Sequence, residues 1–404
     1  MPDLARRQIA FVNVAHGLTH YSLLILPTAV LVMTRPGGAF GSEYGSILAL
    51  ATGGFVLYGA GSLPQGWLVA RLGRKAMLAA FFVGTGLSLA AAGLVSSPLG
   101  LALAAVGLFA AIYHPICTAM LVDAAGRRPG RAIGVNGVCG NIGVALAPVV
   151  TGLLANAAGW RAAFIAPGVV CFAAGLLWLR VPEIEGAGAR GRAAFPVIPR
   201  ALVRRAVIVL LLIAAVSGLV FNGFTLLLPK LMEDRLADSP NLLPLVGAAA
   251  FGVTLCGALT QFTVGRLIDQ MTLRRVFLPL AVVLAPGLAA LAFLHGWAVL
   301  PAAGAVAAVI FGQVTVNETM TARYISPEMR ARMYSVRFFV GFLGAAAAPP
   351  TVGVLQQHTG SLALVLLVLA AFALVTLGCA VFFPNRPEEL RPELWARVAP
   401  APAE

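Results

Sequence analysis

The 404-residue sequence predicts an all-α polytopic membrane protein, with twelve transmembrane helices arranged as two six-helix pseudo-symmetric bundles. Composition, the spacing of apolar stretches and an internal repeat carry that expectation. The chain is 60% hydrophobic and 11% charged, and its mean hydropathy is +0.92. That is more apolar surface than a soluble fold of this length can bury. Twelve apolar stretches of about 20 residues follow one another, each long enough to cross a hydrocarbon core at the helical rise.

Span one (9–33) follows Arg6 and Arg7. It places Asn13, His16 and His20 at i, i+3 and i+7, one stripe of a helix. It has the basic start of a leader but no small-residue cleavage site, so it reads as a retained helix. Span two (44–70) runs into the basic stretch GWLVARLGRK, and span three (76–95) follows directly. Span four (100–124) holds LFAAIYHPICTAM, a histidine and a proline deep in apolar sequence. Span five (132–158) is glycine-rich and span six (163–181) is plainly apolar. The second half repeats the series at 206–232, 244–268, 276–294, 298–322, 332–356 and 362–384. The expected organisation is an N-terminal bundle (1–181), a central loop (182–205), a C-terminal bundle (206–384) and a tail (385–404).

Charge supports the same layout. With the N-terminus inside, 23 of the 28 Lys and Arg residues fall in cytoplasmic segments. Arg337 lies within a span, and only Arg35, Arg161, Lys230 and Arg235 fall outside. This is the positive-inside asymmetry, and it places both termini in the cytoplasm. The net charge of +13 is therefore topology, and no nucleic-acid partner is expected. The five cysteines lie within spans and show no CxxC spacing, so neither a disulfide framework nor a metal cluster of thiolates is expected.

The halves align without a gap at an offset of 201: RAIGVNGVCGNIGVALAPVVTGLL (131–154) against RMYSVRFFVGFLGAAAAPPTVGVL (332–355). Gly140, Gly143 and Pro148 pair with Gly341, Gly344 and Pro349. With Asn141 they form a candidate helix-packing motif, since small residues on one helix face let helices approach closely. The loops after spans two and eight also match, through Gly66, Arg71, Gly73 and Arg74 in one and Gly265 and Asp269 in the other. Pro27 has its counterpart in Pro229. Parallel repeats of this kind place a substrate path at the interface between the halves.

GWLVARLGRK resembles the loop signature of the major facilitator superfamily, with Ala70 in place of its aspartate. The resemblance implies a gating role for these loops. The acid latches onto the N-terminus of a helix in the opposite half: Asp269 onto the positive end of span five, and Asp123 as a stand-in for the first loop's missing acid. It also implies that spans one, four, seven and ten line a central cavity. His114, Pro115, Gly140, Asn141, Gly143, Pro148 and His16 are further similar to the fosmidomycin-resistance group of that superfamily. His20, Ile116 and Ala147 depart from that group's pattern. This second likeness implies a proton-driven exporter of small drugs or metabolites in a bacterial inner membrane.

Polar residues inside spans complete the candidate site. Glu318 is the one acid well inside a span, and Arg337 lies at a comparable depth on the next helix, so an ion pair is expected. Glu318 is the candidate proton carrier, with its affinity set by burial and by Arg337. His16, His20 and His114 are candidates for substrate or proton contact. They also have the residue type to hold a divalent ion, but no carboxylate or paired thiol lies near them in sequence, so no metal is assigned. Tyr113, Asn136, Asn222, Gln261, Gln313 and Asn317 serve equally as cavity lining or as interhelical hydrogen-bonding groups. Ser326 and Pro327 read as the cap and first turn of span eleven.

No HExxH or GxSxG motif occurs, so an enzyme is not expected. The expectation is a monomeric secondary transporter driven by the proton gradient, with a small-molecule substrate and no cofactor. An uptake symporter for a small organic anion or a metal complex is the alternative.

Overall fold

The computed structural model describes residues 2–35, 40, 43–95, 99–125, 129–182, 197–237, 242–325 and 327–391. Among them every long regular element is helical, because a chain in hydrocarbon must satisfy its backbone polar groups within each segment. Eleven helices are long and apolar enough to cross a membrane. The longest, Pro129–Leu179, is interrupted at Gly159 (φ 82°, ψ 165°), which separates spans five and six and brings the crossings to twelve. That backbone region is open essentially only to glycine.

In chain order, span one is α1 (Pro2–Leu23) and α2 (Ile25–Met33), and span two is α3 (Tyr44–Ala49) and α4 (Ala51–Ser62). Span three is the larger part of α5 (Gln65–Leu94), and span four is α6 (Leu99–Ala110) with α7 (Tyr113–Ala125). Spans five and six form α8 (Pro129–Leu179). Spans seven to twelve are α9 (Arg200–Arg235), α10 (Leu242–Ile268), α11 (Leu273–Phe293), α12 (Val299–Tyr324), α13 (Pro327–Thr359) and α14 (Leu362–Phe382).

Span two is shorter than its apolar run. The crossing ends at Ser62, a turn follows at Leu63 and Pro64, and Gln65 starts a new helix. Gly73 (φ 78°) then breaks α5, so Gln65–Leu72 is a separate basic segment ahead of span three. Two prolines account for two other breaks. A proline ring excludes the carbonyl four residues earlier, which is Leu23 for Pro27 and Ala111 for Pro115. At both places the chain tightens to an i→i−3 bond, Leu24 N–H to Tyr21 O (3.1 Å) and Ile112 N–H to Phe109 O (3.2 Å). Pro229, the counterpart of Pro27, sits inside unbroken α9.

Packing differs between the two sides of the membrane. One large apolar cluster joins both halves: Leu26, Val30, Ile47 and Phe55 from the first, Leu227, Leu231, Val246 and Val352 from the second. By the charge-derived topology these residues occupy the outer half. The opposite ends form two separate clusters, one confined to residues 12–181 and the other to residues 198–383. The halves are locked together at one face and apart at the other, which with the charge-derived topology is an inward-facing arrangement.

Glycines set the closest approaches. A Cβ on Gly143 would strike the carbonyl oxygen of Gly17, and one on Gly218 would strike that of Gly341. Gly17 and Gly218 are themselves 201 residues apart, so the repeat extends to the way spans one and five, and seven and eleven, are packed. Gly45 meets Gly353 across the two halves at the outer end, where Ser46 also donates to the Gln357 side chain (2.8 Å).

Candidate functional site

Three histidines converge where spans one and four meet span five. His16 and His20 share one face of α1, and their Nε2 atoms are 3.2 Å apart. His114 enters edge-on from the start of α7, with ring centroids 5.4 Å from His16 and 5.6 Å from His20. One ring nitrogen from each lies within 4.8 Å of the others, and all three side chains are half-buried. The Pro115 break places His114 here: α7 begins at Tyr113, so the pair Tyr113–His114 turns into the bundle at a fresh helix start.

Asn136 of span five organises the cluster. Its backbone oxygen accepts from His16 Nδ1 (2.7 Å). Its side-chain oxygen accepts from the Tyr113 hydroxyl (3.0 Å), and its amide nitrogen donates to Asn13 (2.9 Å). A carbonyl can only accept, so His16 carries its proton on Nδ1 and keeps a lone pair on Nε2. His20 Nε2 is then the donor of the bond between them. Tyr113 stacks on His16 at 4.7 Å. Gly140 makes room for that imidazole, since a Cβ there would come within 2.6 Å of the ring.

The second constellation is Glu318 and Arg337, paired at 2.7 Å between spans ten and eleven. In the repeat Arg337 corresponds to Asn136, so each half hangs its polar contact from the same point of its fifth helix. The expectation that burial governs Glu318 is corrected: its side chain is 42% exposed and that of Arg337 only 11%. The acid is the more exposed partner, and the base is the enclosed one. Phe338 links the two constellations, lying 5.7 Å from His114 and 5.7 Å from the Arg337 guanidinium. Tyr58 and Phe342 extend this aromatic wall, with ring centroids 4.4 Å apart.

The other sequence candidates fall into distinct settings. Asn141 donates to Gln261 across the two halves, an inter-half clasp that sequence reasoning filed under packing. Asn222 donates to Gly218 O of its own helix (2.8 Å). Gln313 and Asn317 are buried, and the Gln313 amide nitrogen and Asn317 carbonyl oxygen have no hydrogen-bond partner among the described residues. Pro148 lies against Gly247 of span eight, and Pro349 is buried inside α13. Gly344 packs on Ala215.

In the loops, Arg71 stacks on Trp67 at 3.9 Å, a Cβ on Gly66 or Gly265 would meet open space, and Arg74 is half-exposed. Asp269 is exposed at the inner end of span eight. The side chain of Asp123, residues 126–128 ahead of span five, and Ser326 lie outside the described residues.

A tail contact had no sequence signal. Glu389 is buried, accepts from the backbone N–H of Leu273 (3.2 Å), and lies 3.5 Å from Arg323. It caps the start of span nine. Burial raises its carboxyl above the usual range despite those partners.

Residues 10–253 and 237–403 match the sequence profile of the Major Facilitator Superfamily. The fold is similar to that of a bacterial homolog to the human lysosomal transporter Spinster in an inward-facing, unoccupied conformation. That match has a TM-score of 0.71 at 16% identity and covers 98% of this chain and 99% of the other. The same homolog in an inward-facing, occupied conformation matches with a TM-score of 0.70 at 15% identity, over the same shares of both chains. No curated protein matches the sequence.

Proposed function

The chain belongs to the major facilitator superfamily, a family of multi-pass secondary transporters and not of enzymes, and from that premise we propose that it is a proton-coupled exporter of a small drug or metabolite. It works in a bacterial inner membrane with both termini in the cytoplasm. The observation that carries the proton coupling is the 2.7 Å pair of Glu318 and Arg337, in which the acid is the more exposed partner.

An ionised Glu318 holds Arg337 in the inward-facing arrangement. Once the protein faces outward, a proton from that side neutralises Glu318 and releases Arg337, whose neighbour Phe338 also faces His114 in the opposite half. Protonation in one half therefore acts mechanically on the substrate site in the other. The substrate binds beside His20 and His114 at mid-membrane. Export uses this cycle as exchange: a proton leaves to the cytoplasm as substrate enters the cavity, and the next proton accompanies release outside. The direction rests on the likeness of the His114–Pro115 and Gly140–Pro148 stretches to the drug-resistance group.

The test is drug susceptibility of an efflux-deficient bacterium expressing wild type or Glu318→Gln at matched membrane abundance, across small anionic and amphiphilic toxins including fosmidomycin. Resistance that is lost in the variant supports the proposal. Resistance that survives Glu318→Gln with unchanged pH dependence removes Glu318 from the coupling. Inward accumulation of a labelled solute under an imposed proton gradient reverses the direction.

A further inference from the structure

We propose that His16, His20 and His114 form a binding site for one divalent late-transition-metal ion of the zinc, copper or nickel class. The proposal rests on the reading of this cavity as the transport site and names the ligand class it takes. The metal is cargo, alone or carried by a chelating metabolite that fills the remaining coordination position.

The donor geometry is close to what such an ion needs. In a tetrahedral site with bonds of about 2.05 Å, two donor nitrogens stand about 3.4 Å apart. His16 and His20 already place their Nε2 atoms 3.2 Å apart, and ligation requires only that the His20 proton move from Nε2 to Nδ1. His114 offers its nitrogen within 4.8 Å of both and completes three vertices by a small ring movement. The set contains imidazoles only, a donor type that favours zinc, copper and nickel over the oxygen-seeking magnesium and calcium. Three protein ligands with one position left open is the arrangement of sites that exchange a bound group, not of closed structural ones.

The surroundings are built as metal-site surroundings are. A ligating histidine typically donates its other ring N–H to a carbonyl or carboxylate, which fixes the tautomer and aims the free lone pair. His16 does this through Nδ1 to the Asn136 carbonyl, and Asn136 is in turn held by Tyr113 and Asn13. His114 meets both of the other imidazoles edge-on, which brings the third ring within reach of the same ion.

The experiment uses the full-length protein in nanodiscs, with its purification tag removed and Co²⁺ as probe. The expected result is one Co²⁺ per chain with the intense visible absorption of a tetrahedral site, displaced by Zn²⁺. His20→Ala and His114→Ala each abolish that spectrum. Asn136→Ala leaves the backbone acceptor of His16 in place and is expected to weaken binding far less than loss of a ligand, and His295→Ala, at the outer surface, leaves it intact. Thermal melts establish that each variant is folded. If an alanine variant does not fold, His20→Gln, His114→Gln and the wild-type stoichiometry decide.

No stoichiometric spectrum in the wild type, or one that survives loss of His20 and His114, overturns the proposal. If that happens while Glu318→Gln still abolishes resistance, the exporter reading stands and only its metal cargo falls. A Co²⁺ site in a protein whose phenotype ignores Glu318→Gln leaves the metal site standing and the coupling scheme overturned.

Discussion

His114 of span four stacks on Phe338 of span eleven, with ring centroids 5.7 Å apart and planes 26° from parallel. This contact crosses from one bundle to the other beside the histidine cluster. An aromatic pair of this kind is worth about 1 kcal/mol beyond its buried area. Phe338→Ala is therefore expected to shift the balance between inward- and outward-facing states by roughly fivefold, changing turnover more than substrate affinity. Transport kinetics in vesicles separate the two: a change confined to affinity would assign the ring to binding instead.

Ser46 and Gln357 mark the outer closure, hydrogen-bonded at 2.8 Å. A Ser46→Cys, Gln357→Cys pair in a background without the five native cysteines is expected to cross-link under mild oxidation. The cross-linked protein should stop transporting and recover on reduction. Full activity while cross-linked would mean that this side does not have to open.

Gly143 has no room for a side chain against Gly17, whereas a Cβ on Gly137 would meet nothing within 4 Å. Gly143→Ala is expected to cost about 1–3 kcal/mol through overpacking, read as a lower melting temperature. Gly137→Ala should be neutral or mildly stabilising, because alanine favours the helix. Gly344→Ala, at the equivalent place against Ala215, should behave like Gly143→Ala. Equal effects at positions 137 and 143 would remove the close-approach argument.

Glu389 gives a pH dependence with a defined sign. Burial raises its carboxyl above the unfolded value, so the native state holds this proton more tightly than the unfolded chain. Its contribution is fully present below the unfolded value and is lost as pH rises through the folded one. Glu389→Gln, which keeps an acceptor for Leu273 without the charge, is expected to gain on wild type in melting temperature as pH rises from 4 towards 7. A difference that shrinks over that range would show the Arg323 pairing to dominate.

Much of this architecture was legible in the sequence, because lipid leaves a spanning chain only one way to satisfy its backbone. The crossings follow from hydropathy, and the 201-residue repeat marks the paired helices. The misreadings are local. Trp67, Leu68 and Val69 prolong an apolar run that the helix of span two does not follow past Ser62. The breaks at Leu24 and Ala111–Ile112 fall about a turn upstream of the prolines that cause them.

The site was half legible. Single residues such as His114, Glu318 and Arg337 stand out by their cost in hydrocarbon. The place of Asn136 does not, because its partners Asn13, His16 and Tyr113 come from two other spans, and no periodicity encodes the register between helices. The tail's return to Leu273 through Glu389 was likewise invisible, and so was the inward-facing state, since one sequence must support every stage of the cycle.

The unequal packing of the two membrane faces makes the cycle's strokes unequal. Opening the outer face means prying apart one continuous interdigitated body, including the Gly45–Gly353 seam where backbones touch. Closing the inner face only brings together surfaces that are already separate. Parting the joined face therefore disrupts far more packing than closing the other, and it is the stiffer of the two motions.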